Sequence, residues 1–282
     1  MVGVAIIVAL VAIANPLRGQ ERAAFEVASI KPHPNPERKD LRFPQFLPSG
    51  RFQATIGLFQ IVQMAYDLPF NLNDRVSVSP GAMRELKQVY DIDAVGAFPQ
   101  GLDGRALADR RRLMLRALLA DRFKLSTHYE TREMPVYALR VDKRGPKLQR
   151  ADIAEKDCPA SLVAQPADSS SDCHVISGGQ GRGLHARAAS IADVVHYVEN
   201  WTVRPLIDQT GIKGLYKFDT SGWTPLQVGP PPPEGTKAED GRDFADVPTL
   251  FQVFQGLGLK MEASKAHVEV LVIDHAEEPT QN

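Results

Sequence analysis

The sequence has only two cysteines and almost no net charge: 33 Lys and Arg stand against 34 Asp and Glu, a formal −1 over 282 residues. That balance removes the electrostatic case for nucleic acid or an anionic membrane surface as a partner. Aromatic residues make up 7% of the chain and do not interleave with basic ones, so no stacking platform for a single strand is indicated. A Cys-x-x-Cys pair, which would begin a zinc knuckle, is absent. So are a Gly-x-Ser-x-Gly elbow and a His-Glu-x-x-His helix. The stretch Gly178-Gly179-Gln180-Gly181-Arg182-Gly183 precedes a strand pattern and no Lys-Ser/Thr follows it, so no helix N-terminus is aimed at a phosphate. No catalytic residue, cofactor or metal is expected from these absences.

Uninterrupted hydrophobic sequence is scarce as well. Its one long run, Val2 to Ala14, is shorter than the ~20 residues that span a hydrocarbon core. It suits the apolar region of a secretory signal, and Ala12-Ile13-Ala14 has the small-x-small form of a cleavage site. The positive flank of such a signal is missing, because Met1 is followed directly by Val2. Residues 1–20 therefore read as a signal peptide or a retained N-terminal anchor. The chain is expected to be exported, periplasmic or secreted, and to touch a membrane only through that segment if it stays uncleaved. Cys158 and Cys173 fit an oxidising compartment. Bonded to each other they would close a loop of ~15 residues, worth roughly 3 kcal/mol in the loop-entropy model.

What the chain does contain is a second half that rereads its first. Gly50-Arg51-Phe52-Gln53-Ala54 leads to the apolar stretch Ile56 to Tyr66, then Val89 to Asp93, Leu113 to Leu119, Phe123 to Leu125 and Val136 to Val141. Gly183 to Arg187 leads to Ile191 to Trp201, then Tyr216 to Asp219, Leu250 to Leu257, Leu259 to Met261 and Val268 to Ile273. A repeat of this length is a duplicated domain, since solenoid units recur every ~20–50 residues. The expected class is α+β: two small βαββαβ-like units, each one sheet with two helices on one face. Their bounds are 21–148, with a lead-in strand at Phe25 to Ile30, and 183–282. Residues 149–182 form a Cys-containing linker.

Within the units, Leu58, Phe59, Val62, Ala65 and Tyr66 make one helical stripe, and Leu107, Met114, Leu115, Leu118 and Leu119 a second. Arg110, Arg111, Arg112 and Arg116 fall largely outside that second stripe and read as a solvated face. Ser190-Ile191-Ala192-Asp193 has the form of a capping box, and Leu250, Val253, Phe254 and Leu257 repeat the helical spacing. Trp201 and Trp223 flank the variable region of the second half, which the Pro-rich excursion Gly229 to Gly235 follows, and read as core or hinge packing rather than a wall for a sugar or peptide.

Few residues are left to carry chemistry. On a strand, residues two apart share a face, so His128 with Glu130, or His267 with Glu269, could share a proton or hold part of a metal site whose third ligand the sequence does not name. Asp274 and His275 add carboxylate and imidazole nearby. These four positions, His128, Glu130, Asp274 and His275, form a weak alternative polar site, against the simpler reading of surface strand pairs. Asp208 and Asp219 could form an acid pair, but Asp208 in Ile207-Asp208-Gln209-Thr210-Gly211 is more simply a turn residue.

Several runs resemble one family of exported proteins of unknown function found in soil acidobacteria, DUF3738. They are Phe25 to Pro32, Leu119 to Leu125 with His128, Glu130 and Thr131-Arg132-Glu133, Pro135 to Leu139, and Gly145 to Leu148. In the second half they are Asp208-x-Thr210-Gly211-x-x-Gly214-x-Tyr216-x-Phe218 and Val268 to His275. The resemblance implies topology and export and transfers no catalytic residue. Some relatives are joined to membrane metallopeptidases, which implies a sensor role as one alternative. Each half is also loosely similar to the short N-terminal domain of secretins and TonB-dependent receptors, a docking module. The expected function is an exported, non-catalytic binding protein for an envelope protein or polymer. The rival is an extracytoplasmic hydrolase using a His/carboxylate site.

Overall fold

The computed structural model describes residues 23–47, 49–70, 74–97, 104–158, 173–224, 235, 237, 241–243 and 246–280. The segment 1–20, the stretch 159–172 and most of the Pro-rich excursion lie outside the described residues. The first part of the chain gives β1 (Val27–Pro32), β2 (Arg42–Phe46), β3 (Arg51–Gly57), α1 (Leu58–Ala65), β4 (Val76–Val78), α2 (Pro80–Leu86), β5 (Val89–Val95), α3 (Gly104–Arg122) and β6 (Ser126–Val141). The second gives β7 (Gln149–Arg150), β8 (Ser177–Gly179), β9 (Gly183–Ala189), α4 (Ile191–Val198), β10 (Leu206–Asp208), β11 (Tyr216–Asp219), α5 (Leu250–Gly256) and β12 (Leu259–His275). The class is α+β.

Period-two alternation builds the first antiparallel sheet, ordered β1-β5-β3-β2. Phe52, Ala54 and Ile56 with Tyr90, Ile92 and Ala94 point inward, while Arg51, Gln53, Asp91 and Asp93 lie on the other face. Helix α1 covers this core with Leu58, Ile61, Val62 and Ala65, all fully buried. Leu115, Leu118 and Leu119 pack into the same core from α3. The second antiparallel sheet is ordered β7-β11-β9-β8. Its helix α4 opens on the capping box of Ser190 and Asp193 and buries Ile191, Val194, Val195 and Val198.

The third sheet, β10-β6-β12-β4, joins the two halves. Strands β6 and β12 run antiparallel from Val141 opposite Leu259 to Ser126 opposite His275. Strand β4 lies parallel to β12 at Leu271–Ile273, and β10 lies parallel to β6 at Tyr137–Leu139. Each half thus lends a short strand to the other half's last strand. Leu271, Ile273 and Ala276 complete the first core, and Leu139 belongs to the second.

The expected arrangement of one sheet per half is corrected here. Strands β6 and β12 have 16 and 17 residues, against 7 in β3 and β5. Only each other can satisfy so many backbone amides along their length. The expected linker 149–182 also contributes structure at both ends, as β7 and β8. Within it Cys158 and Cys173 are bonded, with Cα atoms 5.8 Å apart, and Cys173 packs on Ala188 and Leu215. The glycine-rich stretch is the β8–β9 hairpin. At Gly183, φ is +94° and a Cβ would stand 2.0 Å from the Thr220 carbonyl oxygen, so only glycine fits.

Candidate functional site

His128, Glu130 and Asp274 do come together, on one face of the β6–β12 ladder. His128 Nδ1 is 2.8 Å from Asp274 Oδ2 and Nε2 is 3.1 Å from Glu130 Oε1. Arg132 donates to Glu130 at 2.8 Å. The hydrogen bonds to Asp274 and then Glu130 raise the His128 pKa, and Arg132 followed by His128 lowers that of Glu130. His275 turns away and meets Glu277 at 2.8 Å.

The far end of the ladder carries the same diagonal with charges reversed, Arg140 Nη1 lying 3.1 Å from Glu262 Oε1. One shift of 134 residues takes His128 to Glu262 and Arg140 to Asp274. The His128–Asp274 contact therefore has the form of a fastening used at both ends of the ladder.

Other histidines are similarly engaged. His33 meets Asp91 at 2.9 Å, His185 meets Asp219 at 2.9 Å, and His174 sits between Asp193 at 2.7 Å and Glu155 at 2.9 Å. Asp219 is thus spent on His185, while Asp208 accepts from the Thr210 amide and hydroxyl at 2.8 and 2.7 Å. They form no acid pair. Trp223 is fully buried, with Trp201 edge-on at 5.8 Å.

The arginines of α3 reach back across their neighbours instead of pointing to water. Arg112 bonds Asp67 at 2.5 Å, Arg116 lies 4.6 Å from the Tyr66 ring centre, and Arg111 lies 4.9 Å from that of Phe46. Long stems covering apolar surface explain the difference from a solvated face.

A cleft of about 340 Å³ opens where the halves meet. Tyr129 of β6 and Glu269 of β12 line it, together with Tyr66 to Pro69 after α1 and Ala192, Val195, His196 and Glu199 of the α4 region; Arg75 and Asp208 complete it. Asp67 ends α1 in a left-handed conformation, φ 55°. Its carboxylate bonds Arg112 and lies 3.5 Å from His196 Nε2. Glu199 is 3% exposed, and Arg75 donates to it from the other half. Burial pushes the Glu199 carboxyl up, opposed by Arg75 and the Leu206 amide. The Phe70 amide donates to Asn200 Oδ1 at 2.7 Å, so three polar contacts fix one wall to the other.

Two groups in the cleft are unspent. Among the described residues neither the Glu269 carboxylate nor the Tyr129 hydroxyl makes a hydrogen bond, and both side chains are exposed. Burial, the largest influence, raises the Tyr129 pKa. Sequence reasoning missed this assembly, because Asp67 and His196 are distant in the chain. The one signal was positional: Asp67 and Glu199 each follow within two residues of the end of a helix, α1 and α4.

A family model described as a protein of unknown function (DUF3738) matches residues 60–276. No curated protein and no solved structure matches the chain.

Proposed function

The chain belongs to the DUF3738 family, and from that premise we propose that it is an exported, non-catalytic binding protein of the cell envelope whose site is the cleft between its halves. The observation that carries this reading is the contrast between spent and unspent groups. His128, His174 and His185 are held by carboxylates outside the cleft, whereas Glu269 and Tyr129 face it without a hydrogen-bond partner among the described residues. The cleft holds phenols, carboxylates, an imidazole and a guanidinium, and among the described residues no Ser or Cys lines it.

Sheet edges make poorer docking surfaces. Strand β1 ends on Pro32, β2 carries Pro44 and an irregular register, and β8 has three residues with two glycines. Proline and short edges resist strand addition.

Export is supported by the Cys158–Cys173 bond, since disulfides persist in oxidising compartments. Among the described residues no helix is long and apolar enough to cross a membrane. We further infer an internal duplication, supported by the shared order of β1-β5-β3-β2 and β7-β11-β9-β8. On that reading each unit is a docking module, as its resemblance to the short N-terminal domain of secretins implies.

A photo-crosslinking residue placed at Ala192, in the cleft, is compared with one at Lys31, on the outer face of the first sheet. In the native envelope the expected result is a discrete adduct from position 192 and none from 31. Equal yields at both positions, or no adduct at 192, would overturn the cleft as the site. The hydrolase reading rests on the raised pKa of His128 between two carboxylates.

A further inference from the structure

We infer that the cleft receives a cationic side chain, a Lys or Arg presented by an extended segment of a partner protein. This deepens, and rests on, the binding reading above.

The charge balance comes first. Of the four carboxylates lining the cleft, Asp67 faces Arg112 and His196, and Glu199 faces Arg75. Asp208 bonds only the neutral Thr210, and Glu269 bonds nothing among the described residues. Two negative charges, one from β10 and one from β12, therefore have no charged partner among the described residues, and both carboxylates are open to an incoming cation. An anionic segment would meet repulsion there.

The aromatic wall points the same way. Tyr66 already carries the Arg116 guanidinium 4.6 Å from its ring centre. Tyr129 is 52% exposed, and among the described residues no cation lies over its ring, leaving it beside Glu269 for a second one. Size narrows the choice further. A cleft of about 340 Å³ is at the low end of ligand sites, ~300–1,000 Å³. It suits one long side chain with a little backbone, and not a folded domain.

The test uses the full chain and three fluorescein-labelled octapeptides of alternating Gly with Lys, Ser or Glu, read by fluorescence anisotropy. The Lys peptide should bind more tightly than the Ser peptide, and the Glu peptide not at all. Glu269→Gln should weaken Lys-peptide binding about tenfold, the scale of one charge-assisted hydrogen bond. Tyr129→Leu should weaken it roughly threefold. Glu130→Gln, on the opposite face of β6, should change nothing. Both cleft side chains are exposed and make no hydrogen bonds among the described residues, so thermal unfolding of these variants should match the parent.

Equal binding of the Lys and Ser peptides would overturn the proposal. So would a Glu269→Gln variant that binds like the parent, or an equal loss from Glu130→Gln, which would mean diffuse surface attraction. Failure here with a crosslink still formed at Ala192 would leave the cleft as a site for an uncharged partner. Failure of both would remove the broader reading as well.

Discussion

Glu133 lies directly opposite His267 in the ladder between β6 and β12, and the register is symmetric about that pair up to the irregularity between Ile273 and His275. A shift of 134 residues carries Glu133 onto His267, Leu125 onto Leu259, and the β10 contact at Tyr137 onto the β4 contact at Leu271. The cores are consequently interdependent, each closed by residues that the chain supplies from the other half.

Leu271→Ala should therefore damage the first half although it lies near the end of the second. Removing a fully buried leucine costs about 2–5 kcal/mol. Hydrogen exchange should lose protection first at Phe52 and Ile92, while Leu184 and Phe218 retain it. Protection lost only around Phe218 would contradict the interlocked arrangement.

Arg75→Met should be among the most destabilising polar substitutions, by about 3–5 kcal/mol in urea unfolding, because it leaves the buried Glu199 without its cation. Adding Glu199→Leu should recover most of the loss. Burial raises the Glu199 pKa above its ordinary 4.5 despite Arg75. The folded state then binds the proton more tightly, so this group's contribution is full below the unfolded value and is lost as pH rises through the folded one. Glu199→Gln should remove that slope.

Asp193 has the opposite sign. Burial would raise its pKa, but hydrogen bonds from Ser190 and His174 outweigh it and hold the carboxyl below its ordinary 3.8. Its stabilisation is present above the unfolded value and is lost as pH falls through the folded one. Asp193→Asn should cost about 1 kcal/mol at neutral pH through the capping box. It should also flatten the acid limb of a stability-against-pH curve. An unchanged acid limb would show that His174 and Ser190 do not stabilise the charged form.

Cys158→Ser with Cys173→Ala should lower stability by roughly 3 kcal/mol, the loop-entropy figure for a bridge closing about 15 residues. The loss should reach β7 and the Ala188–Leu215 contact before the first sheet. Thiol titration of the parent, denatured without reductant, should find no free thiol.

Replacing His128 by Ala should leave partner binding intact, as should Arg140→Ala at the mirrored diagonal. The His128 pKa is raised by Asp274 and Glu130, so its stabilising part is present below the unfolded value and fades as pH rises through the folded one. If His128→Ala abolished a measured turnover while fold and binding survived, the hydrolase reading would replace the binding one.

Much of the fold was legible because it is written in short-range periodicity. The stripe of Leu58, Val62 and Ala65 buries as its helical spacing requires, and Ser190 with Asp193 caps α4 as the sequence pattern demands. The proximity of Cys158 and Cys173 was readable from their isolation. The arginines of α3 were misread, because spacing gives the direction of a side chain but not what its long stem can reach.

Sequence by itself determined the helices α1, α3, α4 and α5, though not the short α2, and the alternation of β3 and β5. Each depends on residues within a few positions of one another. Only the tertiary structure decided that β6 and β12 pair with each other, that β4 and β10 cross between halves, and that Asp67, His196, Glu199 and Glu269 share a cleft. Those outcomes depend on matching long rows of backbone amides across more than a hundred residues, and no local pattern records which row satisfies which.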